Sequence, residues 1–189
     1  MTPPASTRPT SRRARPEKAL LILEDGTVLR GSAYGARGSR LGEVVFTTGM
    51  TGYQETLSDP SYAGQIVVQT APHIGNTGAN AEDMESRKVW VRGYAVRDAS
   101  RIASSYRAEQ TLDELLVGSD VVGISDIDTR MLTRRLRETG SLRGGIFSGD
   151  ALSASEEQLL AQVREQPEMT GASFVEEVTI AQPVEIGRA

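Results

Sequence analysis

His73 is the only histidine among the 189 residues, and there is no cysteine. The nucleophilic chemistries open to this chain are therefore few. A thiolate nucleophile, a disulfide and a thiolate metal site are all excluded. A serine–histidine–aspartate hydrolase would have to use His73 as its base. Asp59, Ser61 and His73 do supply the residue types of a serine–histidine–aspartate triad. However, no Gly-x-Ser-x-Gly elbow surrounds the serine. Asp59-Pro60-Ser61 is turn chemistry, because proline presets one dihedral angle and aspartate bonds the backbone two residues on. The plain reading of Ser61 is a turn serine. His73, between Pro72 and Ile74-Gly75, reads as a structural or interface group. One histidine among scattered carboxylates gives no metal-ligand spacing.

Two other patterns carry candidate chemistry. Gly49-Met50-Thr51-Gly52 has glycines that allow close backbone approach, but it lacks the Lys-Ser/Thr ending of a phosphate-cradling P-loop, so it reads as a structural loop. Arg130, Arg134 and Arg137 recur at i, i+4 and i+7, which places them on one face of a helix, with Arg135 off the stripe. Such a face is either a solvated surface, helped by Glu138, or a basic strip that steers an acidic partner.

The elements that must position these residues follow from periodicity and turn signals. Leu20–Leu23 and Val28–Arg30 flank Glu24-Asp25-Gly26-Thr27, a strong short hairpin signal. Val44–Thr47, Gln65–Thr70, Val121–Ile124 and Ile146–Phe147 read as strands. Val89–Val96 reads as a strand with a bulge at Gly93. Met50–Leu57 predicts about two helical turns ended by Asp59-Pro60. Thr111 with Glu114 forms a capping box ahead of a short helix. Asp128–Thr139 is a helix capped by Asp128, stacking Leu132 on Leu136 and ended by Gly140. Ser153 with Glu156 predicts the cap of a last helix carrying Leu159, Leu160 and Val163 and ending before Pro167. Many short strands with a few helices give a β-rich α/β layout with a mixed sheet.

The formal net charge is −4, which argues against generic nucleic-acid binding. No apolar run approaches the ~20 residues of a membrane helix. Residues 1–18 carry Arg8, Arg12, Arg13, Arg15 and Lys18 against Glu17, so the rest of the chain is near −8. That basic, proline-rich segment has almost no large apolar side chain and is expected to be a disordered tail. It has no secretory apolar region. The absence of cysteine fits a reducing, cytoplasmic setting.

Gly42-Glu43-Val44-Val45-Phe46-Thr47-Thr48-Gly49-Met50-Thr51-Gly52-Tyr53-Gln54-Glu55 and Asp59-Pro60-Ser61-Tyr62 resemble the N-terminal domain of the small subunit of glutamine-dependent carbamoyl phosphate synthetase. Ala71-Pro72-His73-Ile74-Gly75-Asn76-Thr77-Gly78, Gly123-Ile124-Ser125-Asp126-Ile127-Asp128-Thr129-Arg130 and Leu132–Gly140 continue the resemblance in the same order, over about residues 19–180. It implies the swivelling β/β/α fold over 19–174, with 175–189 as a linker toward a class I glutaminase domain that this sequence does not contain. It also implies that the serine matching Ser61 contacts glutamine bound in that second domain. Released ammonia would pass to a large synthetase subunit, which would bind ATP and metal ions, leaving this chain with no cofactor of its own. The carbamoyl phosphate would serve pyrimidine and arginine synthesis. Arg130, Arg134, Arg137 and His73 are then candidate interface residues. A free-standing interaction module of the same fold is the competing expectation, and a small hydrolase using Ser61 and His73 the third.

Whichever holds, this polypeptide lacks the thiolate that would attack a glutamine amide. The chain by itself should release no ammonia from glutamine above a buffer blank. Release that a substitution within residues 1–189 abolishes would refute that expectation.

Overall fold

The computed structural model describes residues 16–167, 169, 173–180 and 182. Residues 1–15 of the expected tail and most of 181–189 lie outside that set. Seven strands form one closed, mixed barrel: β1 (Lys18–Leu23), β2 (Val28–Gly35), β3 (Ser39–Thr47), β4 (Gln65–Gln69), β5 (Gly93–Ala95), β6 (Val122–Ser125) and β7 (Leu142–Ser148). Their order around the barrel is β1-β2-β6-β5-β4-β3-β7. β3, β4, β5 and β6 run parallel to one another; β7 is antiparallel to both β1 and β3 and closes the ring. The β-rich mixed α/β layout expected from the sequence is the one observed.

The two-residue period of a strand sorts side chains to the two faces of this wall. Leu21, Leu29, Val44, Ile66, Val68, Ala95, Val122, Ile124 and Ile146 form one cluster. Because every strand contributes, that cluster is the barrel interior. The alternate positions point outward into two further cores. Tyr34, Val67 and Tyr94 pack beneath α1 (Tyr53–Ser58) and α2 (Leu112–Gly118). Ile22 and Phe147 pack beneath α4 (Glu156–Glu165), through its Leu159 and Val163.

α3 (Thr129–Thr139) differs from the other helices, because its buried Leu132 and Leu136 belong to the interior cluster. It plugs the barrel mouth formed by the C-terminal ends of β3–β6. The Asp128 carboxylate accepts a hydrogen bond from Met131 N–H at 2.9 Å and caps the start of the helix. Gly140 follows its end. α2 begins with the predicted capping box of Thr111 and Glu114.

Two expectations change. Val89–Val96 is not a continuous strand; only Gly93–Ala95 joins the sheet, while the Trp90 and Arg92 amides donate to Leu57 and Gln65 carbonyls. Gly93 is no bulge. It pairs in register with Ile66 and Val122, and a Cβ there would lie 3.0 Å from Ile146 Cδ1 and 3.2 Å from Ile66 Cγ1. The missing side chain makes room for two isoleucines in the interior. The cap of α4 is Ser155 with Gln158, a reciprocal capping box, whereas Ser153 sits in a 3-10 turn and donates to the Asp150 carbonyl. The same Ser-x-x-polar pattern occurs twice within three residues, and Ala154 with extended backbone separates the turn from the helix. Residues Val175–Val178 form a short helix, α5, within the stretch 175–189.

Gly123 lies midway along β6, between Tyr34 of β2 and Tyr94 of β5. A Cβ at this position would sit 2.7 Å from the Tyr34 carbonyl oxygen and 3.1 Å from that of Tyr94. Both neighbours are backbone, which cannot swing away. Gly123→Ala should therefore destabilise the chain by about 1–3 kcal/mol, the range for overpacking a tight interior, measured as a lower urea midpoint at unchanged slope.

Candidate functional site

Ser61 sits on the 3-10 turn Pro60–Tyr62, just before β4 begins. Asp59 Oδ1 accepts the Ser61 backbone N–H at 2.8 Å. Tyr62 and Ala63 amides close the turn on the Asp59 and Pro60 carbonyls at 3.1 and 3.0 Å. The backbone of Ser61 is thus fixed, the residue is exposed, and its hydroxyl has no hydrogen-bond partner among the described residues. The segment around α5 runs along the same end of the barrel. Phe174 Cζ would be 2.7 Å from a Cβ at Gly64, and Arg87 donates to the carbonyls of Glu177 at 2.7 Å and Thr179 at 3.5 Å.

His73 follows the other end of β4. Its Nδ1 is 2.7 Å from Asp98 Oδ2, and both side chains are exposed. Five strand residues separate the two ends of β4, roughly 13 Å at about 3.3 Å per residue. Asp59 is engaged with the Ser61 amide and His73 with Asp98. The structure therefore brings no Asp59–Ser61–His73 triad together. Among the described residues, no group of three or more histidine, aspartate or glutamate side chains converges as a metal site would require, and no helix is long and apolar enough to cross a membrane.

The glycine loop after β3 turns out to be braced rather than open. Gly52, in the left-handed region at φ 74°, turns the chain into α1. Tyr53 donates to the Gly78 carbonyl at 2.5 Å and shares a hydrogen bond with Thr77 Oγ1 at 2.8 Å. Gln54 and Asn80 bond reciprocally, the Asn80 amide to Gln54 Oε1 at 3.0 Å. Gln69 reaches the Gly49 carbonyl at 2.6 Å. Asn80 and then Arg107 also bond the Asp83 carboxylate, holding it below the usual carboxyl range. The two glycine-containing motifs, 49–52 and 75–78, are therefore joined through α1, around a polar cleft of about 220 Å³. Sequence reading missed Tyr53, Gln54 and Asn80 as the joint. The available signal was polar side chains at helix positions that the apolar pattern left unexplained. Beneath this region Tyr34 Oη is buried with no partner among the described residues; burial, then the nearby Asp113 charge, raises its pKa and keeps the phenol protonated.

Arg130, Arg134 and Arg137 are exposed on the outer face of α3, as the spacing predicted, whereas Arg135 turns aside and bonds Asp25 Oδ2 at 2.5 Å. The three stripe arginines have no carboxylate within 4.0 Å among the described residues. Thr48 and Thr70, just beyond β3 and β4, face them across a groove of about 500 Å³, with Thr133 between. The candidate residues thus divide between the two ends of the barrel: Ser61 at one, His73 and the arginine stripe at the other.

Because no base lies at hydrogen-bonding reach of Ser61 among the described residues, a fluorophosphonate probe should not label Ser61. Stoichiometric labelling lost in Ser61→Ala would revive the hydrolase reading.

Comparison with known proteins gives a consistent picture. Residues 21–146 match the family model described as carbamoyl-phosphate synthase small chain, CPSase domain. The chain is 59% identical over 169 residues to the carbamoyl phosphate synthase small chain of Streptomyces coelicolor, covering 89% of this chain and 44% of that protein. It is 55% identical over 170 residues to that of Bifidobacterium longum, covering 86% and 42%. It is 56% identical over 168 residues to that of Mycobacterium tuberculosis, covering 88% and 44%. The chain therefore spans less than half the length of the relatives it matches. Among solved structures, an aminopeptidase from Aneurinibacillus sp. strain AM-1 aligns with a TM-score of 0.43 at 14% identity, over 72% of this chain and 31% of that one, too slight a likeness to support any inference.

Proposed function

The chain belongs to the carbamoyl-phosphate synthase small-chain family, and we propose that it is the non-catalytic N-terminal scaffold of a glutamine-hydrolysing small subunit. On this reading a glutaminase domain releases ammonia from glutamine, and a large subunit in the cytoplasm incorporates it into carbamoyl phosphate. The large subunit binds the ATP and metal ions. The scaffold supplies the subunit interface and one wall of the glutamine site.

The observation that carries the second role is the state of Ser61. Asp59 and Pro60 fix the turn, and the Ser61 hydroxyl has no hydrogen-bond partner among the described residues. A hydroxyl held by a rigid backbone, but unengaged, suits a positioning contact to a polar substrate, since little entropy is lost when it bonds. On this reading it is not a nucleophile, since no base reaches it among the described residues. The segment 173–180 passes the same end of the barrel, so a following domain would face this turn.

The test is Ser61→Ala in the complete subunit assembled with its partner. Losing one neutral hydrogen bond costs about 0.5–1.5 kcal/mol, which is roughly a 2- to 13-fold fall in glutamine-dependent kcat/KM. Ammonia-dependent synthesis should be unchanged, because free ammonia bypasses glutamine hydrolysis. Equal losses with both nitrogen sources would assign Ser61 to the scaffold or subunit contact, and no loss with either would leave it an ordinary turn serine.

A further inference from the structure

The two faces of α3 have opposite characters. The inner face, through Leu132 and Leu136, seals the barrel mouth. The outer face carries Arg130, Arg134 and Arg137 over about 10 Å of helix axis, at 1.5 Å per residue. Like charges at i, i+4 repel and do nothing for the helix. Elsewhere, several arginines have acidic partners: Arg30 pairs with Glu156, Arg107 with Glu82 and Asp83, Arg135 with Asp25, and Arg143 with Glu24. The stripe has none among the described residues, in a chain whose acidic residues outnumber basic ones by 25 to 21. The groove beside it is lined by Thr48, Thr70 and Thr133 and by no carboxylate. Arg130 and Arg134 also line the neighbouring groove together with Asp128 and Glu138, whose carboxylates form no ion pair with them within 4.0 Å. Exposed Met131, in that neighbouring groove, and Met50, two residues beyond Thr48, add large apolar side chains to this end.

We infer that this groove is where an acidic segment of the synthetase subunit docks. The inference rests on the proposed function, and the stripe's charge selects the partner's chemistry. Planar guanidinium groups pair carboxylates bidentately and are the cation best suited to interfaces. All three are exposed, so a small anion in this open groove would remain hydrated and screened. A protein surface that covers the groove excludes that water and strengthens each pair. Threonine hydroxyls opposite the stripe complete the hydrogen bonding of an inserted carboxylate.

The test is binding of the full chain to the synthetase subunit of the same organism at two salt concentrations. Relative to wild type, R130E/R134E/R137E should weaken assembly by at least ~10-fold at low salt and flatten its salt dependence, because like-charge contacts replace complementary ones. The triple lysine variant should retain most of the association rate, since steering depends on charge. Melting temperatures of both variants should match wild type. If the triple reversal fails to fold, Arg134→Glu alone should weaken assembly about threefold, within the range of one exposed pair. Wild-type binding with no loss on reversal overturns the docking inference and leaves the proposed function standing. No wild-type binding overturns both. Two other results also overturn the inference: self-association of the chain that reversal abolishes, or stabilisation by inorganic phosphate that reversal abolishes while subunit assembly is untouched. The first makes the groove a dimer contact and the second a small-anion site.

Discussion

Everything in this domain depends on the closure made by β7. That strand pairs antiparallel with β1 from Ala19↔Ser148 to Leu23↔Gly144, and with β3 from Ser39↔Phe147 to Val44↔Leu142. Without it, β1 and β3 would be open sheet edges, and the interior cluster would face water. Closure removes both edges and commits alternate residues of every strand to the inside. The register is fixed at the rim, where Glu24 N–H donates to the Arg143 carbonyl at 2.9 Å and Arg143 donates back to the Glu24 carboxylate at 2.8 Å. A slip by one residue would turn Ile146 outward and Phe147 inward, breaking two cores at once.

A closed barrel has two mouths, and the parallel run of β3–β6 gives each a distinct identity. The connections that enter those strands lie at one end, the connections that leave them at the other. Ser61 and Gly64 precede β4 and fall at the first end. Thr48, Thr70, His73 and Asp98 follow β3, β4 and β5 and fall at the second, beside α3. Loops held at the ends of a rigid wall are where binding residues can vary without disturbing a core. The braces through Tyr53, Gln54 and Asn80 extend that rigidity into the loops themselves.

Much of this was legible in the sequence, for physical reasons that differ by element. The β1–β2 hairpin, the Thr111–Glu114 box and α3 are local devices: a turn, a reciprocal cap, and two leucines one helical turn apart. β7 was legible only at Ile146-Phe147, because Gly144 and Gly145 carry no strand signal when the two partner strands are unknown. Gly93 misled for the same reason, since the isoleucines that exclude a side chain there come from 27 residues upstream and 53 downstream. The arginine stripe was visible as a period, but its lack of acidic partners is a tertiary fact. Sequence order placed Asp59, Ser61 and His73 within 15 residues, while one short strand carries them to opposite ends.

That separation also limits what the domain can contribute to catalysis. Its interior is filled by aliphatic side chains and plugged by α3, so no substrate enters the barrel. The candidate groups instead lie at the mouths and are ones whose chemistry the fold does not consume. The Asp59–Pro60 turn would form with alanine at position 61, because its closing bonds use only backbone atoms of Ser61 and its neighbours and the Asp59 carboxylate. The helix α3 would form with neutral residues at 130, 134 and 137, because its packing uses Leu132 and Leu136 and its cap uses Asp128. A hydroxyl and three cations thus remain, each redundant for folding, held a barrel length apart by a wall that cannot shear without breaking its ladders. That is the property expected of a scaffold that fixes one partner relative to another.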